Sequence, residues 1–162
     1  MLIVPLDAGP AFESLRADFD RSAKEGVPAH VTTLYPFVPL AHVDDGVLAQ
    51  VAEVARAQPA FDVAFIRVGR FPGVLYLAPE PAEVFRAMTM ACVARFPQQQ
   101  PYGGAFDEVI PHMTVSDTVE PAGLEVQATE LLPIRARASE LWLMAQTDQG
   151  GWAEHTRFPL GG

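Results

Sequence analysis

A short pattern, His-x-Thr, occurs twice in the chain: His30-Val31-Thr32 within PAHVTTLYPF (28–37) and His112-Met113-Thr114 within PHMTVSD (111–117). Both segments are strand-like, in β-branched and aromatic content or in alternation, and both are bounded by proline. The two histidines stand 82 residues apart in a chain of 162, close to half its length. The elements around them recur in the same order. A short apolar strand at 2–5 opens the chain, and Phe12, Leu15 and Phe19 give helical spacing over 7–25, with Gly26 as a stop. After His30, an amphipathic helix over 43–57 carries Val47, Val51, Val54 and Ala55 on one side. Strands at 61–68 and 74–77 follow, joined through Phe71-Pro72-Gly73. The second part begins with a helix over 81–96 and a Gly/Pro/Gln-rich loop, 97–105, that leads to His112. A short helix near 123–132 then precedes strands around 136–146 and 152–158. The order predicts one domain over 1–162 made of two halves, about 1–78 and 79–162, each running helix, His strand, helix, strand, strand.

Composition fits a single packed domain. The chain is 49% hydrophobic and 19% charged, with a mean hydropathy of +0.14, which supplies a sizeable core and excludes a disordered chain. No apolar run approaches the ~20 residues of a membrane helix, and the first residues lack a basic segment, so no membrane association or signal peptide is expected. The single Cys92 excludes an intramolecular disulfide and a Cys-rich zinc site. A reducing cytoplasm and a monomer are the expectation. With 11 basic against 20 acidic residues and a net charge of −9, a broad surface for duplex nucleic acid is excluded. Bulk charge says nothing about a small pocket.

In a strand, residues i and i+2 share a face, ~6.5 Å apart. Each motif therefore presents an imidazole beside a hydroxyl, and two such strands brought together make a cradle for one phosphodiester. One imidazole takes a proton from a nucleophile, the other gives one to the leaving oxygen, and Thr32 and Thr114 hold non-bridging oxygens. A hydroxyl is a poor zinc or magnesium ligand, so no metal or other cofactor is predicted. A metallohydrolase built on His30, His112 and a carboxylate is the less favoured alternative. A non-catalytic nucleotide-binding module using the same cleft is another. His42, ahead of Asp44 and Asp45, reads as a loop residue beside helix-start carboxylates. Arg157 is the candidate auxiliary phosphate contact, with Arg67 and Arg70 behind it. This follows from parity: Trp152 and Phe158 toward the core place His155 and Arg157 on the opposite face. Tyr35, Phe37 and Tyr102 are candidates to stack on a base. Cys92 reads as core, and no phosphate-binding glycine loop is present.

PAHVTTLYPF and PHMTVSD resemble the two signature strands of the 2H phosphoesterase superfamily, in particular the bacterial 2′-5′ RNA ligase or cyclic phosphodiesterase branch. The resemblance extends to RFPGVLYLAPEP (70–81), Trp152 and FPLG (158–161). It implies a bilobal α+β fold whose two pseudo-symmetric halves put antiparallel sheets on either side of a central cleft, with helices outside. It also implies that His30 and His112 are an acid–base pair and that Thr32 and Thr114 bind phosphate. The reaction implied is metal-free RNA-type phosphodiester chemistry, notably opening of 2′,3′-cyclic phosphates, on a nucleotide or RNA end.

Overall fold

The computed structural model describes residues 1–105, 108–118 and 121–161. Its first elements are β1 (Leu2–Pro5), α1 (Pro10–Ala17), α2 (Arg21–Lys24), β2 (His30–Leu34), α3 (Asp45–Ala57), β3 (Phe61–Phe71) and β4 (Val74–Glu80). There follow α4 (Ala82–Arg95), β5 (Met113–Ser116), α5 (Leu124–Glu130), β6 (Ile134–Ala138), β7 (Glu140–Gln146) and β8 (Trp152–Pro159). The strands make two four-stranded antiparallel sheets, ordered β2-β1-β7-β8 and β5-β4-β3-β6. The fold is α+β with two pseudo-symmetric halves, as the sequence predicts. In each sheet the His-motif strand is at the edge, and these two edges, β2 and β5, lie against one another.

The sheets do not correspond to the two halves of the sequence. The first is built from both ends of the chain, and the second is one continuous stretch from β3 to β6. The segment predicted as a single strand over 136–146 is two strands in different sheets, with Ser139 between them. Both pieces are extended and carry apolar residues, so periodicity alone does not reveal the crossing. β4 stands beside β5 as β1 stands beside β2, with helix between the two strands in each case.

One cluster forms the core between sheets and helices. Leu2, Val4, Val31 and Leu34 enter from the first sheet, and Val63, Phe65, Leu75, Leu77 and Met113 from the second. Helix α3 adds Val51, Val54 and Ala55, three of the four residues that the spacing puts on its apolar side, with Val47 partly buried beside them, and α4 adds Phe85, Met88 and Cys92. Each Val, Leu, Phe or Met among them contributes roughly 1.5–3 kcal/mol on burial. The Asp44 carboxylate accepts from the Val47 N–H at 2.9 Å and so starts α3. His42 lies in the 3₁₀ turn just before it. The helix predicted over 7–25 is two helices. Asp20 sits between them, capping the Ser22 N–H and binding Arg16.

Among the described residues four strands carry one extra residue relative to a neighbour; in β3 it is Ile66, since Phe65 pairs with Pro79 and Arg67 with Ala78. In β2 it is Thr33, since Leu2 pairs with Leu34 and Ile3 with Thr32. In β5 it is Val115, since Leu75 pairs with Ser116 and Tyr76 with Thr114. The bulge thus falls immediately after the motif Thr in both strands. In β8 it is His155, because Leu143 pairs with Thr156 and Met144 with Glu154. This bulge resets the parity and corrects the expectation for Trp152. Phe158 faces the core, but Trp152 packs on the opposite face with Ile3, Val27 and Met144.

Candidate active site

Strand pairing fixes which side chains share a face. Pro5 lies opposite His30 and Ile3 opposite Thr32 in the first sheet, while Tyr76 lies opposite Thr114 in the second. Val31 and Met113, the middle residues of the motifs, are buried in the core. His30, Thr32, His112 and Thr114 all line one cleft of about 440 Å³, together with Tyr35 and Tyr102. A larger recess of about 580 Å³, between Asp62, Glu80, Arg135 and Arg137, has neither histidine in its wall.

The two imidazoles are held in the same way. His30 Nδ1 is 2.8 Å from the carbonyl oxygen of Pro28, and His112 Nδ1 is 2.8 Å from that of Ile110. A carbonyl only accepts, so Nδ1 carries the proton in each ring and Nε2 is left for proton transfer. The acceptor is two residues before the histidine in both cases. A proline supplies that carbonyl in the first motif (Pro28) and follows it in the second (Pro111). Its fixed φ, and the extended backbone it imposes on the residue before it, hold the carbonyl in place. His112 also meets the edge of Phe71 at 5.1 Å and lies 5.5 Å from the Tyr76 ring, which stacks on Phe71 at 4.3 Å. The Tyr76 ring covers Gly69, where a Cβ would come within 2.4 Å of it. The cleft continues past His112 into an apolar recess of about 490 Å³ lined by Phe71, Val74, Ile110 and Tyr102.

Beneath His30 is a buried ion pair. The Arg16 guanidinium donates to Asp20 Oδ2 from Nε and Nη2, to Glu13 Oε2 and Val27 O from Nη1, and to Ser22 Oγ from Nη2. All five of its donors are used, and Arg16 and Asp20 are each only 1% exposed. Glu13 also accepts from the Ala29 N–H, so this network ties α1 to the approach to β2. Sequence reading misses it, although Arg16 and Asp20 stand at i, i+4 spacing.

Burial lowers the His30 pKa to about 4, and the Arg16 and His112 charges act in the same direction. The Pro28 hydrogen bond and Asp20 oppose that fall. Burial also lowers His112, against the Ile110 hydrogen bond and Asp20. Asp20 is therefore the carboxylate that acts on both rings. Burial raises the pKa of Tyr102, and a hydrogen bond with Thr32 opposes the rise. Tyr102 has φ 51°, in the left-handed region, and its N–H is bonded to the Tyr35 carbonyl.

Of the auxiliary candidates, Tyr35 lines the cleft and meets Trp152 edge to face at 6.2 Å. Phe37 does not line it. It is buried against Phe96 at 5.0 Å, because its side chain is part of the core. Arg157 does not line it either. Its guanidinium lies 4.3 Å over the Trp142 ring and is bonded to Glu154. Arg70 is paired with Glu125 and Arg67 is exposed. Cys92 is buried, and burial pushes its thiol up to about 12. Among the described residues no three His, Cys, Asp or Glu side chains converge as a metal site would require. No described helix is long and apolar enough to cross a membrane.

Two edge strands meeting at a cleft, each with a histidine and a threonine turned into it, agree with the class that the motif strands resemble. A family profile for the 2′-5′ RNA ligase superfamily matches residues 4–150, and the chain belongs to that superfamily, within the 2H phosphoesterases. Among curated proteins no sequence matches. Among solved structures, TT0787 of Thermus thermophilus superposes with a TM-score of 0.60 at 19% identity, over 100% of this chain and 99% of that one. E. coli LigT complexed with 3′-AMP gives 0.58 at 17% identity, over 99% and 97%. LigT complexed with NADP+ gives 0.56 at 16% identity with the same coverage. At these identities the likeness is one of fold.

Proposed function

We propose that the protein is a metal-independent phosphoesterase that hydrolyses a 2′,3′-cyclic phosphate or a related RNA-end or 2′-5′ phosphodiester, using His30 and His112 as a general acid–base pair. The observation that carries this reading is the matched pair of Nδ1–carbonyl bonds, which leaves the Nε2 atoms of both rings available at one cleft. In hydrolysis one Nε2 accepts a proton from water as its oxygen bonds to phosphorus. The other gives a proton to the sugar oxygen as the P–O bond to it breaks. The products are a phosphomonoester and a free hydroxyl. Thr32 and Thr114 donate to the non-bridging oxygens. In dilute water hydrolysis is favoured, so ligation is at most the reverse direction.

Burial keeps both rings neutral near pH 7 in the free protein. A bound phosphate anion favours the imidazolium form, so substrate itself supplies the field that protonates the acid. The apolar recess next to His112 suits a nucleobase. LigT, a relative in fold, binds 3′-AMP and NADP+, both nucleoside phosphates, which supports a nucleotide in this cleft. The test is a panel of 2′,3′-cyclic mononucleotides, cyclic-ended oligonucleotides and 2′-5′ dinucleotides, with and without exhaustive chelation. Turnover that survives chelation and is lost in His30→Ala and His112→Ala is expected. Turnover restored to a chelated sample by one divalent cation would instead favour the metallohydrolase. Binding without turnover of any member would favour the non-catalytic module.

A further inference from the structure

The cleft has a cation that the two-histidine reading does not use. Among the described residues Arg21 is the only Lys or Arg in the cleft wall. The other nearby arginine, Arg16, has every donor committed beneath His30. Met1 also lines the cleft, but its amine is bonded to Met144 O, and burial lowers it to about 5. Arg21 is different. Its side chain is 68% exposed, and its Nε lies 3.8 Å from Asp117 Oδ2, beyond hydrogen-bond length. Its backbone N–H is held firmly by Asp117 Oδ1 at 2.9 Å, so the residue is anchored while the guanidinium is not. Exchanging such an exposed ion pair for another anion costs little. Asp117 follows Thr114 by three residues, and its own N–H bonds Phe19 O, which holds the carboxylate at the mouth of the cleft.

We infer that Arg21 is a specificity residue that binds a second phosphate of the substrate, the one next along the chain from the phosphate held at the histidines, and that Asp117 is the competitor that holds it when that phosphate is absent. The inference rests on the phosphoesterase reading for what occupies the centre. The scissile group belongs between Thr32 and Thr114, and a guanidinium so exposed at the rim is placed for its neighbour. A guanidinium suits a phosphate dianion by its fork of donors. The protein would therefore prefer an RNA end to a lone cyclic mononucleotide.

The test is calorimetric titration of the full chain with adenosine 3′-monophosphate and adenosine 3′,5′-bisphosphate, which differ by one phosphate. The wild type should bind the bisphosphate about tenfold more tightly, in the range of a charge-assisted contact. Arg21→Gln should erase that preference and leave monophosphate affinity unchanged, while Arg21→Lys keeps part of it. Asp117→Asn retains an oxygen for the Arg21 N–H but removes the competing charge, so it should increase the preference. A structural role for the pair would make both substitutions harmful, and thermal midpoints of all variants should match the wild type. Equal loss for both ligands in Arg21→Gln, an intact preference there, or a reduced one in Asp117→Asn overturns the inference alone. Failure of the wild type to bind either ligand overturns the cleft assignment and the inference with it.

Discussion

Substituting Arg16 by Met removes the cation beneath His30 and keeps most of its apolar volume. The guanidinium makes five hydrogen bonds, two of them to Asp20, and both partners are almost wholly buried. Met leaves Asp20 with only the N–H and hydroxyl of Ser22 as partners. Breaking a buried pair from one side costs roughly 3–5 kcal/mol, because the remaining charge has lost its counter-ion. That is a large share of the ~5–15 kcal/mol available to a domain. Urea unfolding at pH 7 measures it directly. The double variant Arg16→Met/Asp20→Leu strands no charge and should recover part of the loss. In the single variant the His30 pKa, followed by NMR of the ring protons, should rise, since Arg16 depresses it and Asp20 raises it. A single variant within about 1 kcal/mol of the wild type, or a double variant no more stable than the single, would refute the reasoning.

Four other outcomes are expected. The pH profile of kcat/KM should be bell-shaped with its optimum on the acid side of 6.5, because both histidines titrate below their ordinary value in the free protein; its limbs belong to the coupled pair. His30→Ala and His112→Ala should each lower kcat by ~10²–10⁴, the double variant losing far less than the product, while Thr32→Val and Thr114→Val cost about 1–3 kcal/mol in kcat/KM. In urea titrations across pH, His30 contributes nothing well above pH 6.5, where it is neutral in both states. Between 6.5 and about 4 the unfolded chain takes up a proton that the folded ring resists, so stability falls with pH by up to about 3 kcal/mol, and His30→Gln should remove that component. Gly69→Ala should cost roughly 1–3 kcal/mol in thermal unfolding by overpacking, and should reduce turnover by pressing Tyr76 toward His112.

The site is legible in sequence to the extent that it obeys the two-residue period of a strand. That period puts His30 with Thr32 and His112 with Thr114, and the structure brings all four to one cleft. It stops being reliable wherever a strand carries an extra residue, and nothing in Glu154-His155-Thr156 announces the bulge that sends Trp152 to the cleft face. Arg157 follows from that same parity and does face away from the core, yet Trp142 and Glu154 already hold it. Phe37 is an aromatic close to a motif, a local property, whereas its burial is set by Phe96, far along the chain. The element order is readable because the helical faces are regular. Which sheet each strand joins is not, because pairing partners such as Leu2 and Leu143 are distant in sequence.

The crossing at Ser139 bears on how the enzyme can move. β6 is pinned along β3 in one sheet and β7 between β1 and β8 in the other, with a single residue between them. One residue spans at most ~3.6 Å, so there is no slack for a hinge at that point. The two walls that carry the histidines are stapled together through the chain itself, at a place remote from both motifs in sequence. Whatever enters the cleft therefore meets walls tied together at that point, and adaptation to ligands of different size falls to side chains and to the loops at the rim.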